Sequence, residues 1–137
     1  MKLKFAFWGV LFIIASRLYS QDINNDTVYF CRQYKFDHEV GVSDLFSISK
    51  KGDSITVMLR TKGSIRESHI RIKVEKVLPD TMFLISTKKY DVEPHWDYIF
   101  FDGTKFTEEG LYHVSILRDD GTEIAGNFVT IVFNQTK

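Results

Sequence analysis

In the stretch Asp91-Val-Glu-Pro-His-Trp-Asp97, the residues Asp91, Glu93, His95 and Asp97 fall at every second position. Each is a competent metal ligand. If the segment is extended, alternate side chains share a face, and the carboxylates and the imidazole line up along it. Residues two apart on a strand stand roughly 7 Å apart, however, whereas metal–ligand bonds run to only about 2.0–2.6 Å. One straight strand therefore cannot gather the four around one ion; a bend at Pro94 or a donor from a second strand, such as His113, has to help. The plainer expectation is a solvent-facing edge strand, where charges and proline are common, with Trp96 packed inward. No metal or cofactor is therefore expected. A metal-dependent binding protein or hydrolase using Asp91, Glu93, His95 and His113 stands as the alternative.

Other reactive patterns are thin. The histidines His38, His69, His95 and His113 are scattered without a metalloprotease-like spacing. Gly41-Val-Ser-Asp-Leu45 lacks the second glycine and the following helix of a nucleophile elbow. No Gly-rich phosphate loop follows a strand. Asp119-Asp-Gly121 lacks the alternating oxygen donors of a calcium loop, and a turn explains it. No catalytic residue is assigned, and the chain is expected not to be an enzyme. Aromatic residues beside polar ones are the better place to look. Trp96, Tyr98 and Phe100 share one face of a regular strand, and Asp97, Ile99 and Phe101 share the other. Such a strand is either central, with both faces covered, or an edge whose second face meets a partner. Exposed rings would also suit a carbohydrate.

The elements that must position these residues read as strands. Thr27–Tyr34 is rich in β-branched and aromatic residues, Lys35–Asp44 is a polar loop, and Leu45–Ser49 is a short strand. Ile55, Val57 and Leu59 alternate with Thr56, Met58 and Arg60. Ile70, Ile72 and Val74 alternate with charged residues, the mark of a strand with one dry and one wet face. Met82–Ser86 is a further strand after the Pro79-Asp80 turn. No window outside the N-terminal segment holds a 3.6-residue period, so no helix is expected.

From Phe106 to Phe133 the chain reads as two long strands joined at Asp120-Gly121, where glycine tolerates positive φ. Tyr112, Val114 and Ile116 are expected inside, and Leu111, His113, Ser115 and Leu117 outside. On the return strand Val129, Ile131 and Phe133 share a face, and a bulge at Gly126-Asn127 would re-phase the alternation. Glu108-x-Gly110-x-Tyr112-x-Val114 resembles the run that opens strand F of immunoglobulin-like domains, and the longer pattern is similar to the last strands of PKD-type sandwiches. The resemblance implies that the Tyr112 hydroxyl caps a sheet corner. Val114 stands where antibody domains carry a cysteine, so disulfide-free members are the better match. The expected fold is an all-β, antiparallel Ig-like β-sandwich of about seven to eight strands, with Gly110, Tyr112, Gly121 and Trp96 as structural residues. It implies no particular ligand.

The chain has 137 residues, ample for one core. Lys2 and Lys4 precede an apolar run from Phe5 to Ala15 that polar Ser16 and Arg17 end. That is the layout of a secretory signal peptide, too short to span a bilayer comfortably, so residues 1–20 are expected to be removed and residues 21–137 to form one domain, with an uncleaved N-terminal anchor as the alternative. Cleavage takes away three basic residues and no acidic ones, which leaves 15 Lys+Arg against 18 Asp+Glu, a formal charge of −3. That balance excludes a basic nucleic-acid footprint. A single cysteine, Cys31, cannot form an internal disulfide; it is either a small buried hydrophobe or an intermolecular partner. The functional expectation is an exported, non-enzymatic module in the periplasm or at the cell surface, with no membrane span in the mature chain. It would contact another envelope or extracellular protein through Lys35–Asp44 and Asp91–Asp97, and carbohydrate is the further alternative ligand.

Overall fold

The computed structural model describes residues 26–135, so the expected signal peptide lies outside the described residues. The strands in chain order are β1 (Thr27–Cys31), β2 (Gln33–Lys35), β3 (His38–Val40), β4 (Leu45–Ile48), β5 (Asp53–Arg60), β6 (His69–Val77), β7 (Met82–Asp91), β8 (Tyr98–Phe106), β9 (Gly110–Arg118) and β10 (Glu123–Phe133). Three strands form one sheet in the order β1-β5-β8, and five form another in the order β4-β10-β9-β6-β7. The short pair β2-β3 stands apart as a hairpin.

Period-two alternation decides which side chains fill the space between the two large sheets. Val28 and Phe30 of β1, Ile55, Val57 and Leu59 of β5, and Ile99 and Phe101 of β8 point inward from the smaller sheet. Ile70, Ile72 and Val74 of β6 meet them from the larger, with Val114 and Ile116 of β9 and Ile131 of β10. Full burial of such a side chain contributes about 1.5–3 kcal/mol, and a one-residue slip would turn a whole set to water. Register follows from that: Ile72 lies opposite Ile116, and Val74 opposite Val114.

The β9-β10 hairpin forms as expected, both of its strands lying inside the five-stranded sheet. Its turn is held by Gly121 N–H donating to the Arg118 carbonyl at 2.9 Å and by Thr122 N–H donating to Asp120 Oδ1 at 2.9 Å. Gly121 has φ +88°, which a side chain would strain. Tyr112 is buried, packs edge-on against Phe106 at 4.9 Å, and donates its hydroxyl to the Glu108 carbonyl at 2.8 Å. Burial pushes the Tyr112 phenol above its ordinary range.

Several expectations need correction. The strands number ten among the described residues, because the Lys35–Asp44 segment is not a loop throughout. Tyr34 and Lys35 belong to β2, and His38–Val40 pairs back as β3 across a turn in which Phe36 and Asp37 take φ of 53° and 62°. A two-residue turn of this kind usually carries glycine, so the composition concealed it. The sheets are not wholly antiparallel: β4 runs parallel to β10, with Leu45 opposite Thr130. Alternation is the same for either direction, so it could not reveal this. The bulge falls at Ile124, between Glu123 and Ala125, and not at Gly126-Asn127. The strand expected at Met82–Ser86 continues to Asp91. Ser115, expected outside, is fully buried on central strand β9, where it is shorter than its neighbours.

Candidate functional site

Along the free edge of β8 runs a groove of about 550 Å³ lined by Tyr90, Asp91, Trp96, Tyr98, Phe100 and Asp102, together with Ile99 and Phe101. It forms because β7 and β8, consecutive in the chain, lie at the edges of different sheets on one side of the molecule. Tyr90 of β7 packs on Phe101 of β8 at 5.0 Å and closes the floor. Trp96, Tyr98 and Phe100 are 39, 36 and 43% exposed. Trp96 is therefore not packed inward, which corrects the expectation from sequence.

The segment between β7 and β8 is not a strand. Pro94-His95 makes a turn, closed by Trp96 N–H donating to the Glu93 carbonyl at 3.0 Å. The β5–β6 connection then pins it through backbone bonds. Thr61 N–H donates to the Asp97 carbonyl at 2.9 Å, Ile65 N–H to that of Trp96 at 2.7 Å, and Arg66 N–H to that of Pro94 at 2.8 Å. Val92 and Ile65 are buried beneath. A proline and a tight turn break the alternate spacing that would have aligned the four ligand types. Asp91 remains on β7 and pairs with His69 Nδ1 at 2.9 Å, while the other three spread around the turn. Among the described residues no group of three or more His, Cys, Asp or Glu could hold a metal. His113 stands on β9 of the larger sheet, where its ring packs on Phe128 at 4.7 Å.

The β2-β3 hairpin packs behind two of the groove's rings. Tyr34 stacks on Phe100 at 4.4 Å and meets Tyr98 edge-on at 6.1 Å. Beneath the hairpin lie Cys31 and Met58, fully buried on what would otherwise be the wet face of the smaller sheet. Cys31 is a free thiol whose pKa burial pushes up. Thr56, also buried there, donates to Asp102 Oδ1 at 2.9 Å.

A polar cluster fixes the hairpin at the groove's end. The Tyr29 hydroxyl donates to Glu39 Oε2. Hydrogen bonding by Tyr29 holds the Glu39 carboxyl below its ordinary range. Burial first, then its bond to Glu39, pushes the Tyr29 phenol upward. Tyr98 is raised further still, by burial and by hydrogen bonds to Tyr29 and Glu39. The Arg60 guanidinium lies over the Tyr98 ring at 4.7 Å, and the neighbouring Tyr29 raises its pKa. Tyr98 and Phe100 are held by Tyr34 before any ligand arrives, which lowers the entropy cost of binding.

The contact surface expected at Lys35–Asp44 and Asp91–Asp97 is displaced: the ring contacts run from Tyr34, just before the first segment, to Tyr98 and Phe100, just after the second. Tyr29, Glu39 and Arg60 were missed. Tyr29 and Glu39 are ten residues apart in the chain, and nothing in their spacing announces a contact. No protein-family model matches this chain, and no curated protein matches it.

Proposed function

We propose that this chain is an exported, non-enzymatic Ig-like module that holds another envelope or extracellular protein in the groove along β8. The observation that carries this reading is the row of half-exposed rings, Tyr98 and Phe100 on β8, whose outer edge is unpaired among the described residues, and Trp96 just before it. An extended segment can add to such an edge, with main-chain bonds for affinity and side-chain pockets for specificity. Aromatic anchors supply most of the energy in surfaces of this type. The Ig-like part of the proposal is supported by the strand order of the two sheets, by β4 running beside β10, and by the Tyr112–Glu108 corner.

A second reading, carbohydrate, has one observation in its favour. Asp91 and Asp102 flank the rings, each with one carboxylate oxygen bonded internally, to His69 and Thr56, and the other available to a sugar hydroxyl. Affinity capture from the native envelope fraction separates the readings. A protein captured by the wild-type chain but lost with Trp96→Ala and Phe100→Ser supports the first. Quenching of tryptophan fluorescence by oligosaccharides, abolished in Trp96→Ala, supports the second. Capture that both substitutions leave unchanged removes the groove from consideration.

A further inference from the structure

The groove uses only the C-terminal end of β7, Tyr90 and Asp91, and the rest of that strand breaks the usual rule for sheet edges. Among the described residues β7 has β6 on one side and no strand on the other. Its N-terminal half, Met82-Phe83-Leu84-Ile85, is a run of four apolar residues, each between 41 and 60% exposed. Soluble proteins guard such edges with charge, proline or brevity, because the outward N–H and C=O groups invite another strand. Here only the C-terminal half is guarded, by Lys88 and Lys89. The lone irregularity is a bulge: Val74 faces Ser86 and Glu75 faces Leu84, which leaves Ile85 unmatched.

We propose that β7 pairs with β7 of a second copy of this chain, antiparallel and about a two-fold axis through Leu84-Ile85. A face-preserving two-fold requires that residues opposite each other point to the same side of the sheet. Counting the bulged pair as one rung, an axis there meets this condition. Phe83 falls opposite the partner subunit's Ser86, and Met82 opposite the partner subunit's Thr87. Leu84 and Ile85 meet their own counterparts, so the aliphatic cluster is covered by itself. Charge argues for the same register. It carries Lys89 to the β6-β7 turn of the other copy, which bears Asp80, and neither residue has an ion pair among the described residues. Joining the two edges makes one ten-stranded sheet from two five-stranded ones. An isologous contact of this kind closes at the dimer, whereas β7 on the opposite edge strand β4 would propagate into a filament.

The test is sedimentation equilibrium of the full-length chain over a wide concentration range. The wild type should pass from monomer to dimer and no further. Lys89→Asp should weaken the dimer about tenfold, and adding Asp80→Lys should restore it, with the circular dichroism spectrum unchanged throughout. Leu84→Cys should cross-link rapidly to a dimer, because the native Cys31 is buried; Leu45→Cys, on the opposite edge, should not. A chain that stays monomeric at every concentration overturns the proposal. So does an assembly that grows past two, or one indifferent to Lys89→Asp. None of these variants touches Trp96, Tyr98 or Phe100, so failure here leaves the groove's role untouched.

Discussion

The outer faces of the two sheets start from the same sequence pattern and end differently. On the smaller sheet, Thr56 and Met58 alternate with core residues as a solvent-facing set would, yet both are buried beneath the β2-β3 hairpin. On the larger sheet, Leu45, Leu111 and Phe128 alternate in the same way and stay half open. The residue types even run against the outcome, since aliphatic and aromatic side chains are the ones left in water. The difference teaches that strand periodicity assigns a side chain to a face. What covers that face is decided by chain that arrives from elsewhere.

The contrast can be broken most forcibly at Met58. Met58→Asp places an unpaired charge under the hairpin and should cost about 3–5 kcal/mol, read as a drop in the urea midpoint. A midpoint unchanged by Met58→Asp would mean that the hairpin does not seal this face. Within the shared core, Tyr112→Phe removes the bond to the Glu108 carbonyl and should cost about 1–2 kcal/mol by the same measurement.

The hairpin itself is reported by Cys31, the one cysteine in the chain. Tyr34→Ser removes the stack on Phe100, worth about 1 kcal/mol, so Ellman's reagent should label Cys31 about fivefold faster than in the wild type. Acid should act in the same direction. The Glu39 carboxyl titrates lower in the folded chain than in the unfolded one, because Tyr29 donates to it. Its stabilisation is therefore present above the unfolded carboxylate range and is lost as pH falls through the folded pKa. Cys31 labelling, corrected for thiolate content, should rise on that acid limb, and Glu39→Gln should flatten the rise. The smallest effect belongs to the open face. Leu111→Asp should change stability by no more than about 0.5 kcal/mol, and a loss comparable to that of Met58→Asp would show that this face is covered too.

The β9-β10 hairpin was the most legible part of the chain. Its alternation, its Asp-Gly turn and Tyr112 are local features, and each acts over a few residues. The parallel pairing of β4 and the β2-β3 hairpin were not legible, because alternation carries no strand direction and Phe36-Asp37 lacks the glycine that usually marks such a turn. The candidate site was half visible. Trp96, Tyr98 and Phe100 stood out as a row, but Tyr90, which lines the groove, and Tyr34, which backs Phe100, come from other strands. The ligand spacing at Asp91–Asp97 misled for the same reason, since backbone bonds from Thr61–Arg66 fold that segment into a turn.

By itself the sequence determined an all-β chain and, for most strands, the set of side chains facing the core. Burial of alternate apolar side chains is a large, local and additive term that any pairing of these strands must satisfy. Only the tertiary structure decided which second faces are covered, that β7 and β8 become neighbouring edges, and that four polar residues from β1, β3, β5 and β8 converge at the end of the groove. Those outcomes depend on contacts between segments far apart in the chain. Their energies are small beside that of the core, and no local pattern encodes them.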